Sequence, residues 1–205
     1  MKPKWWNKSK RYISKRDRVM KNLLKRYKGH LTTRNNFFYS LTRSIISQQI
    51  SVSAADSVFL KFEKKCKGKI KPKTVSRLTI SDLRRCGLSR MKALGIKSLA
   101  NKILDKSFNP KLIKKMSDED AISYLSSLRQ IGRWSSEMVL IFFYNRQNIW
   151  PVQDIGLLRA ISNNYKKKYL PPKSFVNKLR KRFSPYCTLA VMALWYSVDN
   201  EPVQY

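Results

Sequence analysis

Acidic residues are scarce. The 205-residue chain holds 12 Asp and Glu against 44 Lys and Arg, for a formal charge of +32. Such a field repels itself and attracts polyanions, so nucleic acid is the expected partner. Cysteine is scarce too. Cys66, Cys86 and Cys187 are odd in number and widely spaced, which excludes a disulfide framework, a structural zinc site and a four-cysteine iron–sulfur cluster. One histidine, His30, beside Gly29, leaves little from which to build a Ser-His-Asp site or a His-ligated metal. Apolar runs such as Leu189 to Tyr196 are too short to span a bilayer, and no membrane association is expected. Met1 to Trp6 lacks the apolar core of a signal peptide. A cytoplasmic, non-secreted protein is the expectation. Period-two alternation and hairpin turns are also missing, which predicts an all-α fold.

What the chain does have is helical patterning with clear punctuation. Met1 to Lys28 carries twelve basic residues and one acid, Asp17. Its apolar spacing predicts a basic amphipathic helix over about Arg16 to Tyr27, with a face turned either to solvent or to nucleic acid. Asn35 to Lys65 reads as two helices joined at Ser47-Gln48-Gln49-Ile50-Ser51, with Ser53 and Asp56 spaced as a capping-box variant of the second. Cys66 to Thr74 reads as a loop. Ser81 is placed to cap a short helix over Asp82 to Cys86, and Ser89 to start one through Lys102. Ser117-Asp118-Glu119-Asp120 is a cap followed by acids in the first turn, and that helix runs to about Leu128. After a tight turn at Ile131-Gly132, Trp134 to Tyr144 is apolar nearly all round and predicts a buried helix. Asp154 opens a helix through Ile161, Phe175 to Phe183 is a basic helix, and Pro185 opens a last apolar one ending near Tyr196.

With only 12 acids, each can be sorted. Asp118, Glu119, Asp120 and Asp82 follow helix caps. Asp56 and Glu63 sit on helix surfaces, Asp17 and Asp105 lie among basic residues, Asp199 and Glu201 are near the end, and Glu137 is on the helix after the turn. Asp154 stands apart, set between Ile149-Trp150-Pro151-Val152 and Ile155-Gly156-Leu157-Leu158. Local physics makes it an N-cap. Capping and catalysis need not compete, because a helix N-terminus stabilises an oriented negative charge that a developing cation can use. The turn at Gly132 also has a mechanism: a tight turn followed by a helix N-terminus aims backbone N–H groups outward, where they bind phosphate oxygens without reading bases.

Five segments in order carry a family resemblance. Phe38 to Ser51 followed by Ala54-Ala55, Leu83 to Ser89 with Lys92, Gly132-Arg133-Trp134-Ser135-Ser136-Glu137-Met138, Pro151-Val152-Gln153-Asp154, and Pro185 to Ala190 with Leu194-Trp195 resemble the signatures of the helix-hairpin-helix DNA glycosylases. Among these the chain is most similar to the bacterial 3-methyladenine DNA glycosylase II group. The resemblance implies an all-α, two-lobed fold with an interlobe active-site cleft. One lobe would comprise residues 1–35 and 147–205, the other residues 36–146 with the hairpin at about 120–144. It implies a monomeric base-excision enzyme acting on double-stranded DNA that contains damaged bases, hydrolysing the glycosidic bond of a flipped-out alkylated purine.

By the same resemblance Asp154 is the catalytic aspartate, and Trp134, Met138 and Trp195 line the base pocket. Gln48, Gln49, Ile50, Ile131, Gly132, Arg133, Ser135 and Arg159 contact DNA, with Gln49 or Ile50 filling the gap left by the flipped base. No cofactor is expected, beyond a Na+ or K+ that carbonyls of Ser126, Leu128 and Ile131 could hold; the alternative there is an ordinary helix C-cap. Members that also cleave the backbone carry a Lys after the hairpin, where this chain has Trp134, so no lyase activity is expected. The chain departs from the pattern at Gln130, where the hairpin usually has its first glycine, at Gln153, usually Asp, and at Cys187, usually Arg. A non-catalytic DNA-binding protein on this fold, or a glycosylase for another damaged base, remains as an alternative.

Overall fold

The computed structural model describes residues 2–32 and 36–199, apart from the side chains of Val52 and Asp199. Glu201 and the expected boundary near residue 35 lie outside these. The described residues form helices and loops with no strand, and no described helix is long and apolar enough to cross a membrane. The chain divides into two compact units, Met1–Thr33 with Leu140–Gln204, and Arg34–Val139.

The terminal unit contains α1 (Trp6–Arg16), α2 (Arg18–Arg26), α10 (Ile155–Asn164), α11 (Lys173–Phe183) and α12 (Cys187–Asp199). Its core is the apolar α12, buried from Cys187 through Trp195, against Ile13, Met20, Leu24, Leu157, Ile161, Leu179 and Phe183. The amphipathic helix expected over about Arg16 to Tyr27 is α2, and a further helix, α1, precedes it. Asp17 breaks the chain in an extended conformation and accepts the Met20 N–H at 3.0 Å as the N-cap of α2. In sequence Asp17 lies among basic residues. It is buried, taking 2.7 Å and 3.0 Å hydrogen bonds from Arg182 and the Tyr165 hydroxyl. Burial, and then the Asp17 charge, push the Tyr165 phenol well above its ordinary range.

The central unit contains α3 (Phe37–Ser47), α4 (Val52–Lys65), α5 (Pro72–Ser76), α6 (Ile80–Arg85), α7 (Arg90–Leu104), a 3-10 turn (Pro110–Lys115), α8 (Asp118–Ser126) and the start of α9 (Arg133–Phe142). Ser89 and Ser117 cap α7 and α8 as expected. Other starts differ from expectation. Ser51, not Ser53, caps α4, accepting the Ala54 N–H, while Asp56 pairs with Arg43 at 2.7 Å. Thr79, two residues before Ser81, caps α6 in a reciprocal box with Asp82. The expected loop at 66–74 includes the first half of α5, which begins on Pro72 at its first turn. Helix α8 stops at Ser126, two residues short of Leu128.

Candidate functional site

In the terminal unit the candidate residue is Asp154. It N-caps α10 with its side chain, Oδ1 accepting the Leu157 N–H at 2.6 Å. The same oxygen accepts the indole N–H of Trp195, on α12, at 2.7 Å. Two donors from two helices therefore fix the orientation of one carboxylate, which is 9% exposed. Gly156 makes room for this: a Cβ there would stand 3.2 Å from Asp154 Oδ1 and 3.5 Å from the Trp195 ring. Trp195 itself is buried and stacks on Phe142, ring planes 11° apart. The sequence assigned Trp195 to a base pocket and did not show what the structure gives it, a hydrogen bond that holds Asp154. Arg159 is exposed on α10.

At the start of α12, Cys187, which stands where the family pattern has Arg, is fully buried with its thiol directed to the Arg180 carbonyl. Burial pushes that thiol up to about 12, so it stays neutral and is no nucleophile.

In the central unit the structure brings the turn after α3 and the hairpin together. Gln49 and Ile50 are exposed, and Gln49 has φ 57°. Gln48 turns the other way. Its Nε2 donates to the Gln130 carbonyl at 2.9 Å and to Ser135 Oγ at 3.1 Å. Two side chains expected on DNA, Gln48 and Ser135, are thus bonded to each other, and Ser135 is buried. Gln130 sits at φ 68°, the left-handed conformation for which glycine is the usual residue. The departure from the family pattern therefore carries a real backbone strain.

Ile131 is buried and Gly132 exposed. Arg133 is exposed, but it is gripped by Glu119 of α8 through two hydrogen bonds of 2.7 and 2.9 Å and by the buried Glu137 at 3.3 Å. Those carboxylates, Glu119 foremost, raise the Arg133 guanidinium above its ordinary value. Glu119 looks in sequence like a plain first-turn acid, and nothing there signals a partner fourteen residues on. Trp134 is half-buried and Met138 buried along α9. Of the carbonyls considered for a monovalent cation, that of Leu128 accepts the Ile131 N–H at 3.1 Å. The Ser126 hydroxyl bonds that of Ser136 at 3.1 Å.

The chemistry available is that of one oriented carboxylate beside an indole, and a strongly basic chain with a helix-turn-helix-start geometry suited to phosphate. Residues 42–185 match the family model described as HhH-GPD superfamily base excision DNA repair protein. The chain is 32% identical over 162 residues to the alkylbase DNA glycosidase-like protein mag2 of Schizosaccharomyces pombe, covering 77% of this chain and 76% of that one. Its fold is similar to the S. pombe 3-methyladenine DNA glycosylase Mag1 in complex with abasic DNA. There the TM-score is 0.82 at 26% identity, over 97% of this chain and 100% of the other. It is also similar to a DNA-3-methyladenine glycosidase from Bacillus halodurans, with TM-score 0.83 at 25% identity, over 93% and 89%. The chain belongs to the HhH-GPD superfamily of base excision DNA repair proteins.

Proposed function

We propose that this protein is a monofunctional DNA glycosylase that releases alkylated purines of the 3-methyladenine type from duplex DNA. The observation that carries the reading is Asp154, a carboxylate buried at a helix N-terminus and fixed by Leu157 and Trp195, at the position where the family signature has its catalytic aspartate. The relatives' names supply the substrate class.

A methylated purine carries positive charge and is already a good leaving group. The C1′–N bond breaks with its electron pair going to the base, and the sugar becomes oxocarbenium-like. Asp154 stabilises that cation and orients the water whose oxygen then bonds to C1′, the water's proton passing to the carboxylate or to solvent. No general acid is needed, in keeping with a chain that has one histidine and 12 acidic residues. Trp134, Met138 and Trp195 are assigned to the base by resemblance. An electron-rich indole ring favours a cationic base over a neutral one by about 0.5–2 kcal/mol. Gln49 and Ile50, exposed on their turn, would fill the gap left in the duplex.

The test is release of methylated bases from alkylated duplex DNA at physiological salt, with wild type beside Asp154→Asn. Asn is as good an N-cap as Asp, so the variant keeps its fold and its DNA affinity. Release by wild type alone is the expected result. Equal release by both would move the chemistry away from Asp154, and release by neither, with DNA still bound, would favour a non-catalytic binding protein or another lesion. Because Trp134 stands where bifunctional members have Lys, borohydride should trap no covalent adduct with substrate DNA. A trapped adduct would remove the monofunctional assignment.

A further inference from the structure

Lys92 belongs to none of the roles above. It lies on α7, three residues after the Ser89 cap and three before Gly95, so Lys92 and Gly95 share one face of that helix. Its ammonium donates to the Ile46 carbonyl at 2.8 Å and to the Gln48 carbonyl at 2.6 Å. These are C-terminal carbonyls of α3 and its cap, where a helix leaves acceptors unsatisfied and a cation is favoured. They immediately precede Gln49 and its left-handed backbone. The Gln48 residue so held passes its own side-chain amide to the Gln130 carbonyl and to Ser135. One face position further, Gly95 lies under the hairpin turn. A Cβ on Gly95 would come within 2.9 Å of Gln130 Cγ, 3.1 Å of its Cβ and 3.2 Å of the Arg129 carbonyl oxygen.

We infer that Lys92 is a positioning residue which, through Gln48 and with Gly95 as a seat, sets the hairpin turn against the Gln49-Ile50 turn, so that both present to one DNA duplex in a fixed relation. This rests on the glycosylase reading for the identity of the ligand, but not for the device itself. Gln130 adds to what the device must hold. With glycine at that position the turn would hold its left-handed conformation without strain. With glutamine, the backbone needs an outside clamp, which the Gln48 amide provides on its carbonyl, and its side chain needs a place, which the missing Cβ of Gly95 provides. Charge-assisted hydrogen bonds such as those of Lys92 are the stronger kind. Lys92 touches no reacting atom, so its loss should weaken DNA binding and spare the chemical step.

Three readings on the full chain test this. Amide hydrogen exchange is followed at residues 129–134 without DNA, affinity is measured for a duplex carrying a stable abasic-site analogue, and the single-turnover release rate is taken at saturating enzyme. Lys92→Met keeps the aliphatic stem and removes the donors. It should speed hairpin exchange and weaken affinity by about tenfold each, with the saturated rate within about twofold of wild type. Lys92→Arg, which keeps donors, should recover most of the affinity, which general loss of packing would not allow. Gly95→Ala should weaken affinity in the same way, and adding Gln130→Gly should restore it, a pair that keeps the test open if Lys92→Met does not fold. Unchanged exchange in Lys92→Met, or a loosened hairpin with unchanged affinity, overturns the inference. Failure of the wild type to bind duplex would sink the glycosylase reading and the DNA role together, whereas exchange in the free protein would still decide whether Lys92 holds the hairpin.

Discussion

Asp154 and Trp195 lie forty-one residues apart in sequence and 2.7 Å apart at their polar atoms. The indole N–H has one acceptor here, and that acceptor is the oxygen already capping α10. Trp195→Phe keeps an aromatic ring near Phe142 and deletes the donor together with the five-membered ring that carries it. The carboxylate would then keep its backbone partner at Leu157 but lose the second anchor that fixes its rotation. A misdirected charge costs transition-state stabilisation rather than substrate binding. The expected outcome is a drop of about tenfold in the single-turnover rate of base release, on the scale of one lost charged hydrogen bond, with DNA affinity within about twofold. A full rate in Trp195→Phe would show that the hydrogen bond has no part in orienting Asp154.

At the scale of elements, what the sequence shows depends on how far away the partner lies. The starts of α7, α8 and α10 were readable because Ser89, Ser117 and Asp154 satisfy N–H groups three residues on. Thr79 was missed for a local reason. Thr79 and Ser81 are both capping residues, and the choice between them is made by Asp82, which returns its carboxylate to the Thr79 N–H and hydroxyl while Lys65 and Arg85 pair with it. Asp17 was missed because its partners are 148 and 165 residues away. Nothing in a run of basic residues distinguishes an acid that will be buried from one that will be solvated. The same holds for the site: Asp154 and the hairpin were legible from local pattern, whereas the clasp of Lys92 and the grip of Glu119 on Arg133 are tertiary. Asp17 also explains why the basic N-terminal arm is part of the terminal unit. Its carboxylate caps α2, pairs with Arg182 on α11 and receives the hydroxyl of Tyr165 after α10. Asp17→Ala removes a cap worth about 1 kcal/mol and strands a part-buried hydroxyl and a part-exposed guanidinium, for a total of about 2–4 kcal/mol. Asp17→Asn retains the cap and should lose roughly half of that. Urea unfolding of the two variants measures it, and equal, small losses would mean that the arm is held by its apolar face alone.

At the scale of the whole molecule, the charge of +32 sets two responses to salt that run in opposite directions. Within the free protein the like charges repel, and the repulsion opposes the compact state. Added salt screens it: the Debye length falls from about 10 Å at 0.1 M to about 3 Å at 1 M. The free protein should therefore unfold at a higher temperature in 200 mM sodium chloride than in 20 mM. On DNA the same cations displace condensed counterions from phosphates, and the gain from their release shrinks as bulk salt rises. If six to ten phosphates are neutralised, the logarithm of the association constant falls with the logarithm of salt at a slope of about −5 to −9. Asp154→Asn should follow the same slope, because a carboxylate neutralises no phosphate. Replacing an exposed Arg such as Arg159 by Gln should make the slope shallower by about one unit if that side chain meets the backbone. Thermal melts and duplex titrations over one salt series read both effects. Affinity that stays flat while the melting temperature rises would leave the charge acting on the fold alone, and would remove the nucleic-acid reading at its root.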